Sequence, residues 1–198
     1  MSLMDQLTDV VVGQMAGQAA QKTGLSEGLA QQMMPMAMAA LMAGLKKNAS
    51  QPDGAQALAN ALERHDGSLL NNVSALANDD VLADGQRILS HILGGKQDQT
   101  TRALAKTAGI DQGQVAQLLA MAAPAVLASL GRAKREQGLD ASALAGLVTE
   151  ESVRVQKSAP AALDGLMGFL DQDGDGDFKD DLLEQAGKKL LGGLFGRK

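Results

Sequence analysis

The chain contains one apolar segment twice, at an offset of 85 residues, and this repeat limits the folds open to it. The first copy is TGLSEGLAQQMMPMAMAALMAGL (residues 23–45), and the second is AGIDQGQVAQLLAMAAPAVLASL (residues 108–130). Downstream, AQALANAL (55–62) matches ASALAGLV (141–148) after a one-residue gap. We interpret the pattern as an internal duplication. Each unit carries one central helix that is apolar on every face and needs a partner to bury it.

Composition favours helices over strands in these units. Aromatic residues make up 2% of the chain, with no Trp and no Tyr, while the Met count is 10. Since strand-forming side chains are scarce, the sequence predicts an all-α fold in which the duplicated units pack as a bundle. The core is expected to consist of Ala, Leu, Val and Met, with Met filling irregular gaps. The abundance of Met also suggests a Met-rich surface for contact with partners.

Helix signals divide the chain into four parts. Apolar spacing predicts an amphipathic N-terminal helix in residues 1–22. A first helical repeat covers residues 23–78, and a second covers residues 79–157. Residues 158–198 are expected to form a C-terminal helix, an Asp-rich loop and a helical tail.

Shorter signals predict the boundaries within the repeats. Residues 23–26, Thr-Gly-Leu-Ser, predict a helix end, a turn and a new N-cap. Pro35 is expected to start or kink the long helix that follows, and Asp79 is expected to be an N-cap. The other predictions are a loop at 51–54 and helices at 55–63, 84–93 and 98–107.

Motifs in the second repeat resemble a known family. ADGQRILSHILGGK (83–96), LAKTAGI (104–110) and APAVLASLG (123–131) together are similar to the bacterial YidB-like family, grouped as domain of unknown function 937. The resemblance covers roughly residues 25–150, and more loosely the acidic loop and tail. It implies an all-helical fold with a homeodomain-like helix arrangement. It brings no accepted activity.

An Asp-rich loop, DQDGDGDFKDD (171–181), predicts a calcium site. An EF-hand loop supplies oxygen ligands from positions 1, 3, 5, 7 and 12, with Gly at position 6 for the sharp turn. Gly176 fits position 6, but position 12 is Leu182 instead of Glu. One of the acidic residues at 180, 181 and 184 therefore has to complete the shell. The predicted Ca²⁺ ligands are Asp171, Asp173, Asp175, Asp177 (through its backbone carbonyl) and Asp181.

The charge distribution also points to a cation at this loop. The loop holds six Asp and one Lys, a net charge of −5, which equals the net charge of the whole chain. Six carboxylates within eleven residues repel one another unless a cation or water screens them. The alternative interpretation is a solvated acidic linker.

The common catalytic motifs are missing from the sequence. There is no Cys, which excludes disulfides, thiolate metal ligands and thiol nucleophiles. His65 and His91 are the two histidines, and neither has the spacing of a zinc site. His65 is expected at a helix end, where the dipole favours it. No serine elbow, phosphate-binding loop or dinucleotide fingerprint is present, so the sequence predicts a protein that is not an enzyme.

The residue pattern argues against nucleic acid and membrane surfaces as partners. The segment 105–115 has helix-turn-helix spacing, but its second helix continues as VAQLLAMAAPAVLASL, which is a core face. Arg132, Lys134 and Arg135 form a small basic cluster in an acidic chain, so nucleic acid is not expected as a partner. The tail KKLLGGLFGRK (188–198) could contact an anionic membrane surface, but its glycines favour docking on protein.

The sequence as a whole favours a non-enzymatic helical interaction or structural protein with a calcium-binding loop. It is expected to form a homo-oligomer or to bind a protein partner. The N-terminus does not resemble a signal peptide, and the apolar runs 33–45 and 115–130 are too short or too interrupted by Gln to span a membrane, so a cytoplasmic location is expected. The alternatives are a calcium-responsive binding module and, less favoured, a nucleic-acid-binding helix-turn-helix protein.

Overall fold

A computed structural model describes residues 14–158, and side-chain burial is described for residues 14–155. All regular secondary structure in this range is helical, which confirms the all-α prediction for this part of the chain. Two 3₁₀ turns, Ser68–Asn71 and Val73–Ala77, join the third and fourth helices. The helices are α1 (Met15–Thr23), α2 (Glu27–Ala49), α3 (Pro52–Ala61), α4 (Asp79–Leu93), α5 (Gln97–Ala108), α6 (Gln112–Gln137) and α7 (Ala141–Ser158).

The corner between α1 and α2 forms as its residues predict. Gly24 adopts the left-handed conformation with φ 72°, and its N–H donates to the Ala20 carbonyl. Two residues later Ser26 caps α2, because its hydroxyl accepts a hydrogen bond from the Leu29 N–H. A Cβ atom disfavours this left-handed conformation, which is why glycine ends the helix here.

The corner between α5 and α6 also consists of a left-handed glycine followed by an N-capping side chain. Gly109 ends α5 with φ 67°, and Asp111 begins α6 through a capping box with Gln114. The two corners touch, since Gln114 Nε2 donates to the Thr23 carbonyl at 2.8 Å. The starts of the two longest helices therefore lie together at one end of the bundle.

Two predicted boundaries are wrong. The loop expected at 51–54 is largely helical, because α3 already begins at Pro52. Proline suits this first position since its fixed φ is helical and an N–H there would have no partner within the helix. Helix α4 begins at Asp79, five residues earlier than predicted, with Asn78 as its N-cap residue. Asp79 is therefore not the cap but lies in the first turn, where the helix dipole stabilises a carboxylate.

Helices α2 and α6 cross at the centre of the bundle, and the others surround them. Helix α7 packs on α2 and α3, while α4 packs mainly on α6. Every residue of α6 from Leu118 to Gly131 is buried, and α2 is buried almost continuously from Met33 to Met42. Pro35 lies inside α2 and does not end it. Each apolar helix thus finds its partners within the chain.

The methionines of the described residues lie in the core, so the predicted Met-rich surface is wrong for this part of the chain. Their side chains are at most 6% exposed. With few aromatic residues available, flexible Met side chains fill the space between the closely packed Ala-rich helices. These residues are Met15, Met33, Met34, Met36, Met38, Met42 and Met121.

Small and polar residues allow α4 to approach its neighbours closely. A Cβ atom on Gly85 would lie 1.9 Å from the Ala120 carbonyl oxygen of α6. That carbonyl lacks its usual helical donor, because Pro124 has no N–H. At the other end of α4, the Asn48 side chain of α2 donates to the His91 and Ile92 carbonyls, both at 3.1 Å. Asn48 therefore satisfies carbonyls that the end of α4 would otherwise leave unpaired.

Candidate functional site

The residues predicted to bind calcium lie outside the described part of the chain. This applies to all five: Asp171, Asp173, Asp175, Asp177 and Asp181. Between residues 14 and 158 the structure brings together no group of three or more His, Asp or Glu side chains able to hold a metal. The calcium site therefore stays a prediction from the sequence.

The helix-turn-helix segment has its expected local geometry, and the middle of its second helix is buried. Helix α5, the Gly109 turn and helix α6 follow one another, and Val115 is 1% exposed at the crossing. A recognition helix has to present polar and basic side chains to the major groove. The middle of α6 is instead enclosed by neighbouring helices. This agrees with the sequence-based expectation that it faces a core.

The basic cluster at the end of α6 holds neighbouring backbone in place. We define the connector loop as residues 62–72, between α3 and the 3₁₀ turn that begins at Val73. Arg132 donates to the Gly67 carbonyl at 2.8 Å and to Asn71 Oδ1 at 2.9 Å, and Arg135 donates to the Asp66 carbonyl at 2.6 Å. Lys134 donates to the Ala59 carbonyl of α3 at 2.9 Å. The three cations thus bind carbonyl groups of the chain itself, which makes them less available to phosphates.

The connector loop lies directly against the backbone of α6. A Cβ atom on Gly131 would come within 1.8 Å of the His65 carbonyl oxygen, so only glycine allows this approach. Gly67 adopts a left-handed conformation with φ 87°. The loop also buries Leu62 and Leu70, which are 1% and 7% exposed. Hydrogen bonds, close backbone packing and apolar anchors therefore fix this loop together.

A cavity of about 310 Å³ lies between the connector loop, the first turns of α4 and the middle of α6. This volume is at the lower end of the range for small-molecule sites. The apolar part of its wall comes from Leu69, Val81, Pro124 and Ala128. The polar and charged part comes from Arg64, His65, Asp66, Ser68, Asp80 and Asp84.

Burial sets the ionisation of His65 in this wall. Loss of solvation lowers the pKa of the imidazole; the Asp84 carboxylate opposes this shift, and Arg64 adds to it. Asp66 differs, because hydrogen bonds from the Ser68 side chain and backbone lower the pKa of its carboxyl group. At neutral pH the wall therefore combines a neutral imidazole with the ionised Asp66 carboxylate.

Sequence reasoning missed this cavity. It placed His65 at a helix end, whereas α3 ends at Ala61 and His65 lies in the connector loop. The other walls come from residues 80–84 and 124–128, far away in sequence. Nothing local in the sequence signals that these segments meet.

One described helix is long and apolar enough to cross a membrane by length and composition. It is Gln112–Gln137, whose most apolar 18-residue window has a mean hydropathy of 1.5. The helix extends beyond the apolar run 115–130 at both ends, so its length alone would be sufficient to span. The structure buries 78% of the window inside the protein, which is the position of a core helix.

Little apolar surface is left on the described body. Among residues 14–155, Val153 of α7 is the large apolar side chain that stands exposed, at 39%. Isolated exposed apolar residues are ordinary on protein surfaces, whereas interaction sites form contiguous patches. Val153 alone is therefore not evidence of an interaction patch on the described body.

Comparison with known proteins gives one match. A family described as "Bacterial protein of unknown function (DUF937)" matches residues 5–133. No curated protein and no solved structure shows significant similarity to the chain. The match includes helices α1 to α5 and most of α6, and it stops before α7 and the Asp-rich loop.

Proposed function

Since the chain belongs to DUF937, a bacterial protein family of unknown function, we propose a function from its residues: a non-enzymatic helical interaction protein that assembles with itself or with a protein partner. One observation carries the proposal. Most large apolar side chains of residues 14–155 are buried, and Val153 is the one that stands exposed, at 39%. Others, such as Leu25, Val81 and Ile110, are partly buried against the core. Further large apolar side chains lie in residues 1–13 and 159–198.

The sequence of these terminal segments suits contacts between chains. Leu3, Leu7, Val10 and Val11 recur at helical spacing before the body. After it come all three Phe residues of the chain, Phe169, Phe178 and Phe195. Aromatic side chains are enriched in interface cores, where they bury large areas. We therefore assign the contacts to these segments and the role of a scaffold to the body.

We propose that the scaffold consists of duplicated, homeodomain-like units. We also propose that the chain belongs to the YidB-like branch of the family. Support comes from the two matching corners. Gly24 and Gly109 end their helices in the same left-handed conformation, and Ser26 and Asp111 cap the helices that follow. Each corner leads into one of the two longest described helices, and these pack on each other.

Self-assembly predicts a mass in solution that is a multiple of the 20.4 kDa chain. Light scattering on the full chain, with and without calcium, measures it. Leu7→Asp and Leu191→Asp should each lower the mass, because a charge in an apolar contact is costly. Val153→Asp, a matched change on the body, should leave it unchanged. If the full chain has a mass of 20.4 kDa in both conditions, the proposed self-assembly is wrong.

A calcium-responsive binding module is the second candidate, and the Asp-rich loop favours it. Alternating Asp at 171, 173 and 175, with Gly176, satisfies most of the EF-hand pattern. In a calcium-responsive module, calcium uptake by the loop would order the residues on either side of it and so control the binding of a protein partner. The missing Glu at position 12 predicts an affinity below that of sensor sites, since this residue normally contributes two oxygens.

Calorimetric titration of the full chain with calcium tests this candidate. We expect the wild type to release or absorb heat on binding, and Asp173→Ala to bind at least tenfold more weakly, because it loses one charged ligand. Asp53→Ala removes an exposed carboxylate in the first turn of α3 and should bind like the wild type. Absence of binding heat from the wild type at several temperatures would remove calcium from the proposal.

A further inference from the structure

Three features of the connector loop depend on one residue. His65 places its carbonyl against Gly131 and its side chain in the cavity wall, and it directly precedes Asp66 and Gly67, whose carbonyls accept from Arg135 and Arg132. The side chain is half-buried. A charge acquired at this position has to be accommodated within the cavity or released to water by movement of the loop.

We propose that the connector loop is an acid-released clasp, in which protonation of His65 frees the loop from α6 and exposes the centre of that helix. Opening would move the apolar anchors Leu62 and Leu70 away from the core. It would also uncover Pro124 and Ala128, which form the wall of the cavity on α6. The described body exposes few large apolar side chains at neutral pH and would thereby gain an apolar surface in acid.

The charges nearest His65 act in both directions. Arg64 opposes a further positive charge, whereas the Asp84 carboxylate favours it. Burial of the imidazole is the largest influence and acts against protonation, so the pKa of His65 lies below its ordinary value of about 6.5. The charged groups along the loop and the cavity are Glu63, Arg64 and Asp66 on the loop, Asp80 and Asp84 on α4, and Arg132, Lys134 and Arg135 on α6.

The direction of the pH effect follows from this shift. In the open loop the imidazole is solvated and takes up a proton near its ordinary pKa, about 6.5. In the closed loop it takes up the proton only at lower pH. Closure is therefore fully favoured above the open-state pKa and weakens as the pH falls toward the closed-state pKa. Asp66 does not reverse this trend, because hydrogen bonds from Ser68 lower the pKa of its carboxyl group and keep it ionised.

Hydrogen exchange on the full chain tests the clasp through amides inside the loop. The reporters are the N–H groups of Ser68, Leu70 and Asn72, which donate to Asp66 Oδ1 and to the Gly67 and Leu69 carbonyls. Protection is compared at about pH 7 and about pH 5, after correction for the intrinsic exchange rate. We expect it to fall at the lower pH by up to tenfold for each unit by which the pKa of His65 lies below about 6.5.

Two histidine variants separate the clasp from a general effect of acid. His65→Gln should remove the pH dependence of the loop amides. His91→Gln changes the exposed histidine at the end of α4 and should retain it. An equal loss of protection in His65→Gln and wild type, or no loss in the wild type, would overturn the proposal. So would simultaneous loss in residues 118–130 of α6, since unfolding would then be global.

An NMR titration of the His65 imidazole provides an independent measurement on the unmodified protein. His65 should titrate below its ordinary pKa of about 6.5. If it titrates at or above that value, its burial does not oppose protonation and the clasp mechanism is wrong.

Discussion

Gly85→Ala is expected to lower the free energy of unfolding by about 3 kcal/mol, a large part of the stability of an ordinary domain. The new Cβ atom would lie 1.9 Å from the Ala120 carbonyl oxygen and 2.8 Å from its carbonyl carbon. Both atoms belong to the backbone of a buried helix, so no side-chain rotation relieves the overlap. Helix α4 has to move away from α6, and the apolar contacts between them are lost.

Urea unfolding measures the change in stability caused by Gly85→Ala, and a second glycine of the chain provides the control. Because there is no Trp and no Tyr, urea unfolding is best followed by far-ultraviolet circular dichroism. Gly146→Ala is the matched control, since a Cβ atom there meets nothing within 4 Å and the residue lies in α7. It should stabilise the protein by about 0.5–1 kcal/mol, the helix preference of Ala over Gly. Equal effects of the two substitutions would mean that α4 and α6 do not make this close contact.

The local structure of the chain could be predicted well from the sequence. The Gly24 turn, the Ser26 cap and the end of α4 at Gly94 lie within a few residues of their predicted positions. Each depends on the chemistry of neighbouring residues, such as a side-chain oxygen near a free N–H. The errors at Pro52 and Asp79 are also local. In both, residues read as a loop or a cap belong to the first turn of a helix.

Contacts between distant residues could not be predicted in this way. Gly85 has no sequence feature that marks Ala120 as its neighbour, and His65 has none that marks Asp84. The basic cluster at the end of α6 was considered as a possible contact for DNA. It binds carbonyl groups of the connector loop and α3 instead, because the fold brings that backbone beside it.

The two candidate sites differ in the same way: one depends on neighbouring residues and the other on residues far apart in sequence. The calcium site at the Asp-rich loop rests on a single run of eleven residues, since metal ligands in an EF-hand are close in sequence, and it stays a prediction. The cavity at His65 is assembled from three separate segments, so it becomes visible only in three dimensions. The burial of methionine also becomes visible only in three dimensions. Composition predicted Met in the core, but it did not show that the described Met residues leave no Met-rich surface.

Met34→Ala is the second substitution expected to have a large effect. The Met34 side chain is 0% exposed in the middle of α2, so truncation removes three heavy atoms from a packed interior. Losses for such buried changes are about 2–5 kcal/mol, which include the transfer of the side chain and the cavity left behind. Met34→Leu keeps most of the volume and should cost less than about 1.5 kcal/mol.

The size of the Met34→Ala effect distinguishes two kinds of core. In a rigid core the cavity persists, and the loss of unfolding free energy in urea approaches the upper end of the range. Met34 shares the core with several other methionines of α2, whose unbranched side chains can change rotamer and fill part of the space. We therefore expect a loss of about 2–3 kcal/mol, near the lower end of the range. A loss above about 4 kcal/mol would show that the methionines are held as rigidly as branched residues, contrary to the adaptable core inferred from composition.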